Sequence, residues 1–228
     1  MVDDARAAFS AMIIVAIDGP AGAGKSTIAK ALAEELKLRY LDTGAMYRAV
    51  TFAALNRHIE LDDEPTVATI AKNCVMKIEE DSISIDGIDA TIAIRGPEVT
   101  RGVSIVATNS LVRTELRNRQ RQWVAEHGGG VVEGRDIGSV VFPDATLKVY
   151  LTASPIVRAR RRVAQTGGDV DQIAFEIAER DQRDSSRSDS PLMKTNDSIT
   201  VDTSDRPIAD VVLQLQRMVV NNIQGEEI

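Results

Sequence analysis

The sequence predicts an α/β fold, a three-layer sandwich around a parallel central sheet. Three observations predict it. Short β-branched or apolar runs recur with helical stretches between them: Ile13–Ile17, Tyr40–Leu41, Val131–Val132, Leu147–Leu151 and Ile199–Val201. The first run passes through a glycine-rich turn directly into an amphipathic helix. The 228 residues are 43% hydrophobic and 27% charged, enough to bury a sizeable core and too apolar for disorder as the main state. One core carrying insertions fits this length.

In chain order, Ile13–Ile17 is apolar throughout, as a strand covered on both faces must be. A helix follows from about Lys25 to Leu36, with Ile28, Ala31, Leu32 and Leu36 on one stripe. Tyr40-Leu41 ends at Asp42-Thr43-Gly44, and Ala45–Arg57 regains helical spacing through Tyr47, Val50, Ala54 and Leu55. Beyond Pro65 the pattern changes. After a short helix, Val75–Glu79 and Ser82–Ile85 alternate, and Asp86-Gly87 is a hairpin turn leading to Thr91–Ile94. This antiparallel patch reads as an insert, closed by a helical stretch from about Asn109 to Glu126. Gly128-Gly129-Gly130 breaks the chain before the strand at Val131. An arginine-rich segment spans Pro155–Arg187, and Ile208–Val219 forms the last amphipathic helix. The expected organisation is a core of residues 12–64, 131–153 and 190–228, an insert of 65–130, an arginine-rich segment of 154–189 and an N-terminal extension of 1–11.

Lys and Arg number 27 against 34 Asp and Glu, a net charge of −7, which argues against a nucleic-acid binder held by phosphate neutralisation. Aromatics at 4% argue against a base-stacking surface. Yet the basic set is 20 Arg and only 7 Lys, and Arg is the residue for planar, bidentate contact with phosphate or carboxylate. The single Cys74 excludes an internal disulfide and reads as a small buried hydrophobe. Met12–Ile17 is too short to span a bilayer, and Asp3 and Asp4 stand where a signal peptide carries positive charge. A soluble, cytoplasmic protein without a membrane partner is expected. No exposed heptad or apolar face stands out, so a monomer is expected too.

The most informative residues are Gly19-Pro20-Ala21-Gly22-Ala23-Gly24-Lys25-Ser26, a full match to G-x-x-x-x-G-K-[ST]. Following a strand and opening a helix, the motif places successive backbone N–H groups and a helix N-terminus around a β-phosphate. Lys25 would bridge the β- and γ-phosphates, the Ser26 hydroxyl would ligate Mg²⁺, and Thr27 closes the run. The loop specifies nucleotide binding but not the reaction, since switches, motors and small-molecule kinases share it. A guanine-reading Asn-Lys-x-Asp is absent, and Val131–Asp136 lacks the Asp-Glu of a motor or transporter ATPase.

Arg158, Arg160, Arg161 and Arg162 fall within five residues, and Arg180, Arg183 and Arg187 follow. Seven acids between Pro155 and Asp189 balance them, so a salt-bridged surface helix is one reading. With a phosphate loop in the chain, arginines on a mobile segment gain a second reading, in which they neutralise the moving phosphoryl group once the site closes. His58 and His127 lie in polar, surface-like contexts, and no kinase-type base motif occurs. An acceptor that is already a phosphate anion needs no base, which favours a phosphate acceptor over an alcohol.

The sequence resembles the bacterial cytidylate (CMP/dCMP) kinases, nucleoside-monophosphate kinases of the P-loop class. The resemblance runs from Met12 to about Met218 and rests on residues 17–26, Leu-Asp-Thr-Gly-Ala-Met-Tyr-Arg (41–48), Glu-Gly-Arg-Asp-Ile-Gly (133–138), Val-Val-Phe-Pro-Asp-Ala (140–145), Glu-Arg-Asp-Gln-Arg-Asp-Ser-Ser-Arg (179–187) and Val-Asp-Thr-Ser (201–204). It implies that the insert binds the monophosphate and that the arginine-rich segment is a helical lid. It implies ATP as donor with Mg²⁺, and CMP or dCMP as acceptor. By motif, Arg48, Arg135 and Arg187 would hold the acceptor phosphate, Arg180 and Asp184 the ribose hydroxyls, and Asp136, Ser104 and Arg113 the cytosine edge. Thr43 keeps a hydroxyl where many members have Ser. Arg158, Arg161, Arg162 and Arg183 would be the lid arginines facing the transferring phosphoryl group.

Overall fold

A computed structural model describes residues 12–79 and 82–225; the extension expected at 1–11 lies outside the described residues. The elements in order are β1 (Ile13–Asp18), α1 (Lys25–Leu36), β2 (Tyr40–Asp42), α2 (Thr43–Asn56), α3 (Glu64–Asn73), β3 (Met76–Ile78), β4 (Ile83–Ile85), β5 (Ile88–Asp89), α4 (Pro97–Val106), α5 (Ser110–His127), β6 (Gly129–Glu133), β7 (Leu147–Thr152), α6 (Pro155–Thr166), α7 (Val170–Ser186), β8 (Ile199–Asp202) and α8 (Ile208–Gln224).

Five of the strands form one parallel sheet in the order β2-β6-β1-β7-β8. The period-2 alternation of each strand sorts its side chains into two cores. Val15, Ile17, Val131, Leu147, Val149 and Leu151 face α1 and α8, meeting Ile28, Leu32, Val211, Leu215 and Val219. Ala16, Leu41 and Val132 face the other way, onto Met46 and Val50 of α2, Val67 of α3, Val103 and Val106 of α4, and Val112, Leu116 and Val124 of α5. The result is the expected three-layer sandwich, with residues 131–132 returning next to β1 although more than a hundred residues separate them.

The antiparallel patch is a three-stranded sheet, β3-β4-β5. Its Ile83 and Ile85 pack on the alanine face of α2 (Ala45, Ala49, Ala53), with Cys74 buried among them as expected. Asp86 (φ 52°) and Gly87 (φ 81°) both take positive φ, the two-residue turn that matches strand twist. The continuation differs from the sequence expectation. Thr91–Ile94 is not a strand: β5 is only Ile88–Asp89, and a 3₁₀ turn at Ala93–Arg95 leads into α4, because only two residues extend the hairpin before the Thr91 hydroxyl binds back to Ile83. The arginine-rich segment is a hairpin of α6 and α7. Its buried residues are only Arg158, Ala159, Ile177 and Asp184, so few apolar contacts hold it. His58 and His127 are exposed as expected, His127 stacking on Trp123 at 4.2 Å.

Candidate active site

The carboxyl ends of parallel strands are where an open α/β sheet leaves a crevice. Here β1, β6 and β2 end together: Ile17 pairs with Glu133 and Asp42 with Glu133, so Asp18, Glu133 and Asp42 crowd one edge. The loop Gly19–Gly24 leaves this edge with Gly19 (φ 149°), Gly22 (φ 77°) and Gly24 (φ 85°) all in positive-φ backbone. A Cβ at Gly22 would lie 2.9 Å from that of Arg158, so the loop backbone touches α6 directly. Helix α1 starts at Lys25 with no side-chain cap on its first amides, leaving donors of an anion site. Ser26 and Thr27 follow on that first turn, Ser26 exposed at its surface. The Lys25 ammonium is buried and donates to the Pro20 carbonyl at 2.9 Å. Burial first, then Arg135, pushes it well below the usual lysine range, with Glu133 opposing.

Beside the loop, Arg135 donates to Asp184 at 2.9 Å, and Arg187 lies 3.7 Å from the same carboxylate. Burial works to raise the Asp184 carboxyl, but Arg135, Arg187 and Arg180 together hold it below the usual range. Arg180 is pushed down to about 10 by burial and by the Arg135 charge, and Arg48 to about 10 by burial, with Arg162 contributing to both. Arg48, Arg135, Arg162, Arg180 and Arg187 therefore converge from α2, the loop after β6, α6, α7 and the end of α7. Among the described residues, Arg180 Nε and Arg187 Nη2 are buried without a hydrogen-bond partner, which leaves two donors open to an anion or a water. Arg48 is held by its Nη1 to the Ile94 carbonyl (3.1 Å) and the Thr100 hydroxyl (2.9 Å), which ties it to the insert.

Arg113 and Asp136 form a buried pair at 2.6 Å, their side chains 1% and 8% exposed, and the Arg113 guanidinium lies 5.6 Å over the Tyr47 ring. Ser104 is buried on α4. The Thr43 hydroxyl donates to the Glu133 carbonyl at 2.7 Å, so in this structure it braces β6. Among the arginines expected to face the phosphoryl group, Arg158 pairs with Asp181 and donates to the Ala21 carbonyl at 3.0 Å, while Asp181 accepts the Ala21 N–H at 3.0 Å. Arg161 donates to Thr203 Oγ1 (2.9 Å) and Thr203 O (2.6 Å), and Thr203 donates to the Ala23 carbonyl at 3.0 Å. Arg183 stands apart, its guanidinium 54% exposed and paired with Glu179 one turn back.

A family model described as cytidylate kinase matches residues 15–221. The chain belongs to the cytidylate kinase family. It is 50% identical over 206 residues to a cytidylate kinase of Desulforamulus reducens, covering 87% of this chain and 92% of that one. It is 44% identical over 221 residues to a cytidylate kinase of Listeria monocytogenes serovar 1/2a, covering 92% and 98%. A solved gluconokinase from Sinorhizobium meliloti aligns with a TM-score of 0.52 at 13% identity, over 94% of this chain and 95% of that one, a likeness of fold alone.

In this cytidylate kinase family member, four residues join the site that sequence reasoning left without a role. Glu133 ends β6 beside the phosphate loop, and its buried carboxylate accepts from Tyr40 and Ser26. Burial first, then Asp42, raises it, with Lys25 opposing. Tyr40, Thr203 and Asp181 position the neighbours named above. The available signal for Glu133 was a single acid closing an apolar strand; a search for Asp-Glu passes over it. Tyr40, Asp181 and Thr203 reach partners 93, 160 and 180 residues away, and no local pattern marks such pairs.

Proposed function

We propose that the protein transfers the γ-phosphoryl group of ATP to CMP or dCMP, giving ADP and CDP or dCDP. The observation that carries this reading is the convergence of five arginines, two with buried unpartnered N–H groups, beside an intact phosphate loop. In this reading residues 12–64, 131–153 and 190–228 are the core, 65–130 the acceptor-binding insert and 154–189 the lid.

The loop amides of residues 21–26 and the Lys25 ammonium take the β- and γ-phosphates, and anion binding restores the Lys25 charge that burial disfavours. Arg48, Arg135 and Arg187 hold the acceptor phosphate. Arg180 and Asp184 take the ribose hydroxyls, the carboxylate kept ionised by the arginines around it. Asp136 accepts from the cytosine amine while Arg113, with Ser104, donates to the ring acceptors; uracil offers a carbonyl where Asp136 needs a donor. Arg158, Arg161 and Arg162 bring lid charge to the phosphates. The acceptor is an anion, so positioning and charge neutralisation supply the catalysis and no side chain removes a proton. Ser26 and Glu133 form an all-oxygen donor set at the mouth of the loop, which suits Mg²⁺. Ser26 and Glu133 would hold Mg²⁺ there, where it would supply positive charge against the negative charge of the phosphates. Among the described residues no helix is long and apolar enough to cross a membrane, in keeping with small-molecule partners.

ADP formation from Mg-ATP, measured in parallel against CMP, dCMP, UMP, AMP and GMP, tests the reading. Turnover with CMP and dCMP is expected. Turnover confined to AMP or UMP overturns the acceptor assignment, and ATP binding without turnover of any of the five overturns the enzyme.

A further inference from the structure

Asp18 belongs to the phosphate-loop run 17–26, yet the phosphate chemistry gives it nothing to do. Its side chain turns away from the loop. Oδ1 accepts the Ile137 N–H at 2.8 Å and Oδ2 the Gly138 N–H at 2.7 Å, both bonds buried and 119 and 120 residues distant in sequence. Those amides open a single π-turn, Ile137–Val141, immediately after Arg135 and Asp136. On the near side of the same two residues, the Gly134 N–H donates to the Ile17 carbonyl at 3.0 Å. The backbone that carries Arg135 and Asp136 is therefore fastened to the end of β1 before and after them. The packing is close: a Cβ at Gly138 would lie 3.2 Å from the Lys148 side chain and 3.4 Å from Asp18 Oδ2.

We infer that Asp18 is a positioning residue for the acceptor nucleotide: from within the donor motif, its carboxylate sets where Arg135 and Asp136 stand. The carboxylate suits this place because each of the two N–H groups meets an oxygen of its own. An amide of the same size offers one oxygen and turns its NH₂ against the other N–H. Small displacements matter at such a site, where a misplacement of about 1 Å costs on the order of 10²-fold.

The inference rests on the acceptor assignment above, and the experiment separates the two. Asp18→Asn is compared with the natural protein, varying CMP at saturating ATP and then ATP at saturating CMP. The expected result is a KM for CMP raised by about tenfold or more with the KM for ATP shifted by less than about twofold, and a reduced preference for CMP over UMP. An equal rise in both KM values, a rise for ATP alone, or no change for CMP overturns the inference while leaving the function intact. No CMP turnover by the natural protein overturns the function itself. Should Asp18→Asn not fold, Asp18→Glu decides, since it keeps both oxygens but sets them one methylene further out: a KM for CMP raised with that for ATP unchanged is expected, and an equal rise in both or no rise for CMP overturns the inference.

Discussion

The phosphate loop and the arginine cluster lie side by side but are made differently. The loop is contiguous, residues 19–27, and works through backbone amides that three positive-φ glycines leave bare. The cluster, with the residues proposed to take the acceptor, is assembled from side chains on α2, α4, α5, the loop after β6, and α7, joined by buried ion pairs such as Arg113–Asp136 and Arg135–Asp184. A site built on backbone survives the loss of a side chain as a fold. One built on buried charge does not, because removing one partner strands the other in low dielectric.

The sharpest way to break this contrast is Arg113→Met. It leaves Asp136 buried and unpaired, and is expected to lower unfolding free energy by about 3–5 kcal/mol in a denaturant titration, with loss of CMP use. Lys25→Met should do the opposite. The rate is expected to fall by about 10²–10³ in kcat, while unfolding free energy stays level or rises, since a desolvated ammonium is removed. If instead Lys25→Met unfolds the protein and Arg113→Met costs only rate, the two regions do not differ as described.

A third test uses pH. Burial raises the folded-state pKa of Asp18 from 3.8 to about 6, so between these values the folded state holds a proton that the unfolded chain has released. Stability from this group is full below 3.8 and is lost as the pH rises through 6, by ~3 kcal/mol in all. The unfolding free energy of the natural protein minus that of Asp18→Asn is expected to fall between about pH 4 and 7; a flat difference removes the effect. The smallest effect is reserved for Arg183→Ala. Its exposed pairing with Glu179 predicts a change within about 0.5 kcal/mol in stability and less than about threefold in kcat/KM. Arg162→Ala is expected to cost far more rate, which would set the converging arginines apart from the solvent-facing one.

Much of the core fold was legible because its signals are local. Ile13–Ile17, the glycine-rich turn and the stripe of α1 each declare themselves within a dozen residues, and the Asp86-Gly87 hairpin does the same. The strand expected at Thr91–Ile94 was not legible, since whether a β-branched run extends a hairpin depends on what its partner strand can still pair with, and β4 is only three residues long. For the site, the phosphate loop could be read without a fold, whereas the residues proposed for the acceptor rest on resemblance to a family. Glu133 escaped because its meaning lies in which strand stands next to β1.

What the sequence by itself determined is the phosphate loop: a strand, three glycines, a lysine and a helix start, whose geometry follows from backbone sterics over a short contiguous run. It also determined the arginine surplus that an acidic chain had to explain. The tertiary structure alone decided how those arginines are divided, with Arg48, Arg135, Arg162, Arg180 and Arg187 gathered inward, Arg158 and Arg161 tied to the loop, and Arg183 left in solvent. It alone joined Asp18, within the glycine-rich motif, to the backbone of Ile137 and Gly138. The physical reason is common to both: a charge's role depends on its partners and on its distance from water, and those are fixed by contacts between residues that the chain keeps far apart.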